Sequence, residues 1–252
     1  MRLKGKVAIV TGSGAGIGRG IAERFAREGA SVVIAEVDAT TGRSAAEAIK
    51  TAGGEAIFVP TDVSDEAQVQ AMVDKTVERY RRIDVLCNNA GVLFFEKEAP
   101  AHELTNETWD RTMAVNLKGY WLTSKYVVPV MLKQKSGSII HVASPTGIFG
   151  FTRLTAYSAS KGGVIGLMRS MAADYAPEHI RVNAIIPGTI DTPMNAVELS
   201  DPTIRARYAE IAPARRLGTP EDLAGIALFL ASEDSDYCVG GIFTVDGGLT
   251  AV

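Results

Sequence analysis

Several things are scarce in this chain, and each scarcity narrows what it can be. Only two of the 252 residues are cysteine, Cys87 and Cys238, and only three are histidine. Two thiols without paired spacing build neither a disulfide framework nor a metal-ligand set. Both lie in apolar, strand-like surroundings, where a reduced, buried thiol is expected. His102, His141 and His179 are scattered singly, so no metal site is expected. Long apolar runs are also missing. The first, Val7 to Val10, is too short for the apolar segment of a secretory leader, and nothing approaches the roughly 20 apolar residues of a membrane helix. Charge of one sign is not in excess: 26 Lys/Arg stand against 29 Asp/Glu, a net charge of −3. With no basic block to follow a phosphate backbone, nucleic acid is not an expected partner. A cytoplasmic location is the expectation.

What is present is core. Hydrophobic residues make up 46% and charged residues 22% of the sequence, enough to bury a sizeable interior. Short β-branched runs alternate with segments of helical periodicity. The strand candidates are 7–11, 31–36, 56–60, 85–88, 138–142, 181–186 and 241–245. Several, such as Val-Ala-Ile-Val and Val-Val-Ile-Ala, are nearly continuous apolar runs, as strands covered on both faces require. Helical patterns occupy 19–28, 43–51, 65–80, 109–133, 159–176 and 220–231. This alternation predicts an α/β fold, a doubly wound parallel sheet of seven strands with helices on both faces, because parallel neighbours need crossover helices. No repeat or linker divides the chain, so residues 1–252 read as one domain. The least regular stretch, 189–217, is expected to be a substrate lid or an ordinary surface excursion.

The first strand runs into Thr11-Gly12-Ser13-Gly14-Ala15-Gly16-Ile17-Gly18. Glycines there let backbone N–H groups approach an anion, and the following helix aims its positive end at the same place. The G-x-G-x-x-G spacing is not met, since Ile17 stands where the third glycine would fall. Glu36 ends the second strand, where a carboxylate accepts hydrogen bonds from a ribose diol and repels a 2′-phosphate. That favours NAD over NADP, with Asp38 as a competing ribose ligand. Asp62-Val63 ends the third strand, either holding an adenine amino group or contributing to a helix cap. Asn88-Asn89-Ala90-Gly91 ends the fourth with small residues beside a prospective ligand, Asn88 equally serving the strand backbone.

Tyr157 and Lys161 are four residues apart, hence on one face of a helix. A phenol titrates near pH 10, and a neighbouring ammonium together with an oxidised nicotinamide favours phenolate; a shift of about 3 units would bring it to neutrality. Taken in order, Thr11-Gly12-x-x-x-Gly16-x-Gly18, Asn88-Asn89-Ala90-Gly91, Asn116, Ser144, Tyr157-x-x-x-Lys161 and Pro187-Gly188, with Val245-Asp246-Gly247-Gly248 near the end, the chain resembles the short-chain dehydrogenase/reductase family over its whole length.

The resemblance implies a Rossmann-type sheet and an NAD(H)-dependent oxidoreductase interconverting a secondary alcohol and a ketone by hydride transfer. It implies Tyr157 as general acid/base and Ser144 as a hydrogen-bond donor to the same oxygen. Lys161 would depress the Tyr157 pKa and hold the nicotinamide ribose, and Asn116 would anchor a relay water. Asn116 otherwise reads as a helix residue bonding back to its own backbone. Cofactor contacts are expected from Gly12, Ser13, Gly16, Ile17, Gly18, Glu36, Asp62, Val63, Asn89, Ala90, Gly91, Tyr157, Lys161, Pro187, Gly188, Ile190 and Thr192. A non-catalytic dinucleotide sensor is the alternative, though it would not need Asn116, Ser144, Tyr157 and Lys161 together. A longer epimerase-type relative would need an added C-terminal domain.

His141 stands where relatives often carry Asn, and is expected on Ser144's side of the strand as a packed residue rather than a base. The rim by analogy is Leu93, Phe94, Pro145, Phe149, Phe151, Leu154, Met194 and Val197, which favours a hydrophobic or ring-bearing small-molecule substrate. Arg153 is the candidate for binding a carboxylate. Gly162, Gly163 and Gly166, interior to the Tyr157 helix, call for close approach by a neighbour. With Trp121 and Val128 on the preceding helix they leave more apolar and small-residue surface than one sheet face requires. The resemblance implies that these two helices pair across a dimer axis within a homotetramer, a dimer second.

Overall fold

The computed structural model describes residues 1–251. Its seven strands are β1 (Val7–Thr11), β2 (Ser31–Glu36), β3 (Glu55–Pro60), β4 (Val85–Asn88), β5 (Gly137–Val142), β6 (Ile180–Pro187) and β7 (Ile242–Val245), all parallel, in the order β3-β2-β1-β4-β5-β6-β7. Every residue of β1 and β4 is buried, as their unbroken apolar runs require of central strands. The expected strands lie within two residues of the observed ends.

Strand alternation divides the apolar residues between two cores. One lies between Val10, Val32 and Ile140 and the helices α1 (Gly16–Arg27), α2 (Ala39–Thr51) and α9 (Pro220–Ala231). The other joins Ile9, Val33 and Ile139 to α3 (Glu66–Tyr80), α5 (Gly119–Gln134) and α6 (Thr155–Tyr175). Helices therefore cover both faces. The direction of winding reverses between β1 and β4, and at such a switch point the carboxyl ends of the strands open a crevice. Among the described residues, no helix is long and apolar enough to cross a membrane.

The helical pattern over 109–133 resolves into three pieces. α4 (Asn106–Met113) passes into a π-helical turn at Ala114–Lys118 before α5 continues. A π turn inserts one residue into the hydrogen-bond ladder and re-aims a side chain. The residue re-aimed is Asn116, which bonds away from its own helix. The 189–217 stretch is partly ordered into a short turn at Pro193–Asn195, α7 (Ala196–Leu199) and α8 (Pro202–Ile211), the last capped by the Asp201 side chain.

His141 is fully buried, as expected, but three positions before Ser144 it faces the other side of β5. Its Nδ1 lies 3.2 Å from Asn88 Nδ2, which must donate, so the neutral ring carries its proton on Nε2. That Nε2 has no partner among the described residues. Burial, with Lys161 nearby, holds the His141 pKa down at about 3. An unfolded histidine takes a proton near pH 6.5 that folded His141 refuses. Stability is therefore lost as pH falls below that value, by about 2 kcal/mol at pH 5. Urea midpoints of wild type and His141→Asn at pH 7 and pH 5 test this. The variant should lose less on acidification, and parallel losses refute the assignment.

Candidate active site

The turn from β1 into α1 is built for an anion. Gly12 (φ +61°) and Gly16 (φ +54°) are in the left-handed region, and a methyl on Gly12 would lie 2.7 Å from Ala90 Cα. α1 begins after Ala15 with no side-chain cap and no acidic residue in its first turn. Its opening N–H groups thus have no side-chain acceptor, and Gly16 and Ile17 line the cleft. Thr192 closes the far side, 3.4 Å from where a Gly16 methyl would sit.

Two expected contacts are placed elsewhere. Ser13 is fully buried and donates to Val10 O at 2.7 Å. Gly18 packs the helix onto the turn, since a methyl there would fall 2.3 Å from Gly12 O. Neither is among the residues lining the cleft.

Glu36 ends β2 facing the cleft, and it organises the glycine turn. One carboxylate oxygen accepts from Gly14 N at 3.0 Å and the other from Val37 N at 2.8 Å. Asp38, the competitor, is committed as the cap of α2, accepting from Thr40 N and Thr41 N. Asp62 lines the cleft with Val63, and its carboxylate holds Ser64; the cap of α3 is Asp65. At the end of β4, Thr11 Oγ1 accepts from Asn89 N at 3.0 Å and Ala90 N at 3.1 Å. Asn89 Nδ2 returns to Thr11 O and Gly12 O, locking Asn89, Ala90 and Gly91 beside the glycine turn. Asn88 is fully buried on Thr123 and His141, which decides for its structural reading.

Beyond Gly91 the second half of the site assembles from four elements. Asn116 accepts from Val92 N at 2.8 Å and donates to Val92 O at 2.9 Å and to Ser160 Oγ at 3.2 Å. It clamps the chain leaving β4 against α6. Ser144 caps the turn after β5, where its Oγ accepts from Thr146 Oγ1 at 3.0 Å. Tyr157 and Lys161 project from the first turns of α6. Glu98, buried outside the cleft, accepts from Ala156 N at 3.2 Å and Tyr157 N at 2.9 Å, satisfying the start of that helix. Gly147 abuts α6, a methyl there falling 2.7 Å from the Lys161 carbonyl carbon. Of the three interior glycines only Gly163 meets close packing, against Leu117; Gly166 has nothing within 4 Å.

Burial pushes the Tyr157 phenol up to about 12, against a pull downward from Ser144. Burial brings the Lys161 ammonium down to about 7. The four-residue spacing predicts that the lysine lowers the phenol. Desolvation dominates instead, and the ammonium lies 5.8 Å from the phenol ring centroid.

One cleft of about 460 Å³ joins the two halves. Pro187, Gly188 and Ile190 line it from the end of β6, with Thr192 to Asn195 and Tyr208 contributed by the 189–217 stretch. Leu93, Pro145, Phe151, Leu154 and Met194 lie in the wall as expected; Phe94, Phe149 and Val197 do not. The segment after Gly91 turns Phe95 inward, and Phe94 instead lies beneath Arg111, whose guanidinium carbon is 6.0 Å from its ring centroid. Arg111 is the arginine of the cleft, in place of Arg153.

An uncapped helix end, a glycine turn and a strand-end carboxylate arranged along one crevice fit a nicotinamide dinucleotide, with the phenol, serine and ammonium at its inner end. The chain belongs to the short-chain dehydrogenase/reductase family and is an oxidoreductase of it: residues 12–250 match the family model described as Enoyl-(Acyl carrier protein) reductase. Among its relatives is cis-4-hydroxycyclohexanecarboxylate dehydrogenase of Sinomonas cyclohexanicum, 42% identical over 98% of this chain and 97% of that protein. Levodione reductase superposes with a TM-score of 0.94 at 36% identity, with complete coverage of both chains. A Beutenbergia cavernae protein assigned as an NAD(P)-dependent gluconate 5-dehydrogenase, solved with NADP at low occupancy, superposes with a TM-score of 0.93 at 37% identity, covering 99% of this chain and 98% of its own.

Proposed function

We propose that the protein is an NAD(H)-dependent dehydrogenase interconverting a ring-bearing secondary alcohol and its ketone, with Tyr157 as general acid/base. The observation that carries this reading is the convergence of Ser144, Tyr157 and Lys161 on one cleft whose opposite end carries Glu36 and the uncapped start of α1. Bound there, the nicotinamide supplies or accepts the hydride. Gly16 and Ile17 N–H groups would hold its pyrophosphate, and Glu36, whose negative charge disfavours a 2′-phosphate, would hold the adenine-ribose diol. Asp62 and Val63 would border the adenine; Asn89, Ala90 and Gly91 would border the ribose; Pro187, Gly188 and Ile190 would enclose the nicotinamide end, with Thr192 near the phosphates beside Gly16.

In oxidation Tyr157 takes the hydroxyl proton while the carbinol carbon gives up its hydride. In reduction it returns that proton to the carbonyl oxygen. Ser144 donates a hydrogen bond to the same oxygen and stabilises its developing charge. Lys161 favours phenolate as a cation, holds the nicotinamide ribose and passes the proton outward, with Asn116 fixing the surrounding backbone. The 189–217 stretch serves as the lid. Exposed Trp121 on α5 and the open Gly166 on α6 support a homotetramer assembled on those faces.

Leu93, Phe95, Phe151 and Leu154 favour an apolar ring, and Arg111 offers a place for a carboxylate on it. A screen of cyclic secondary alcohols, hydroxycyclohexanecarboxylates, linear hydroxy acids and sugars, each with NAD and NADP, tests the proposal by absorbance of the reduced cofactor. Turnover should be greatest with a cyclic alcohol and NAD. Turnover confined to sugars, or to NADP, overturns it.

A further inference from the structure

One helical turn after Asn116 lies a second phenol that the reading above does not use. Tyr120 is 1% exposed and lies outside the cleft lining, and a buried phenol needs a partner for its hydroxyl. It donates to Val142 O at 2.9 Å. Lys161 Nζ donates to that same carbonyl at 2.9 Å and to the Tyr120 hydroxyl at 3.3 Å. Three polar atoms therefore close on one another in a buried site. The ammonium also lies 5.2 Å from the Tyr120 ring centroid, nearer than to the ring of Tyr157.

The phenol is braced from behind. The His141 ring packs against it at 5.4 Å between centroids, and His141 is tied to Asn88, which accepts from Thr123 Oγ1 at 2.6 Å. Strands β4 and β5 and helix α5 thus all fix where the Tyr120 hydroxyl sits. Burial holds that hydroxyl protonated. Its proton goes to Val142 O and its oxygen lone pair is left for the ammonium. Lysine has three N–H donors on a long flexible stem. Two are held on the Tyr120 side, and one remains for the side where Gly91 lines the cleft, in front of buried Asn116. A methyl on Gly91 would lie 3.7 Å from Nζ and 3.4 Å from Asn116 Oδ1, so that side is kept open by a glycine.

We propose that Tyr120 is a positioning residue for Lys161, its hydroxyl fixing the ammonium where it serves Tyr157. This rests on the reading of Lys161 as the assisting cation. Tyr120→Phe keeps the ring and removes the hydroxyl. Its kcat should fall about tenfold, the loss of one hydrogen bond to a charged group. The substrate KM should stay unchanged, and because Lys161 also holds the nicotinamide ribose, any loss of NADH affinity should be no larger than in Lys161→Ala.

The decisive comparison is the Lys161→Ala background, assayed at micromolar enzyme to follow residual turnover. There Tyr120→Phe should cost nothing more, because the group it positions is gone. Losses that multiply in the double variant, full turnover in Tyr120→Phe, or a kcat loss accompanied by a rise in substrate KM would each overturn the role. Should Tyr120→Phe not fold, Tyr120→Leu is read by the same criteria. Wild-type turnover in Lys161→Ala would instead overturn the catalytic reading itself. An inactive Lys161→Ala beside a fully active Tyr120→Phe removes only the positioning role.

Discussion

Replacing Tyr157 with Phe is expected to lower kcat by about three to four orders of magnitude while NADH binding survives. The phenol ring contributes packing that Phe retains; what is lost is the proton donor and acceptor, worth up to about 10⁴-fold where general acid/base chemistry limits the rate. Burial holds this phenol at about 12. Rapid oxidation near neutral pH therefore requires positive charge to arrive, from a protonated Lys161 and an oxidised nicotinamide together. Accordingly, with phenolate as the proposed base, kcat/KM for alcohol oxidation should rise with pH, while carbonyl reduction should fall as the phenol is lost. Stopped-flow turnover together with fluorescence titration of NADH separates chemistry from binding. Wild-type turnover in Tyr157→Phe would sink the acid/base assignment.

The second large effect is expected at the other end of the cleft. Glu36→Ser combined with Val37→Arg should reverse the cofactor preference, the ratio of kcat/KM for NAD over NADP falling by about 10³-fold or more. Hydrogen bonds to a charged group contribute about 1.5–3 kcal/mol each, and removing the carboxylate also removes its repulsion of a 2′-phosphate. Val37 is 66% exposed beside Glu36, so an arginine there can reach such a phosphate without displacing core. Because Glu36 also accepts from Gly14 N and Val37 N, the single Glu36→Gln variant is the control. It keeps one acceptor for the turn and should lose NAD affinity with little gain toward NADP. A preference unmoved in the double variant would show that cofactor choice is made elsewhere.

Much of this molecule was legible before folding. The strands and five of the six helical segments could be placed because apolar periodicity follows directly from which faces a doubly wound sheet buries. The sixth, 109–133, hid its π turn: periodicity averages over a window and cannot register one inserted residue. Asn116 was legible as an unusual residue for a helix interior, but its bonds to Val92 and Ser160 depend on three segments distant in sequence. Ser13 and Gly18 were grouped with the phosphate turn by proximity in sequence, yet the turn sends the Ser13 hydroxyl back to Val10 and places Gly18 against Gly12 O.

The sequence by itself determined the sheet and its family, and it singled out Asn116, Ser144, Tyr157 and Lys161 as the quartet proposed to carry the chemistry, since these rest on residue type and local spacing. Tertiary structure alone decided which side chains face the cleft and which face the core. It turned Phe95 inward and Phe94 outward, exchanged Arg153 for Arg111, and placed Tyr120 and His141 behind Lys161. The reason is physical: a side chain's neighbours across a fold are set by the packing of distant elements, and a rotation of one residue in a loop exchanges one face for another without leaving any trace in the local pattern.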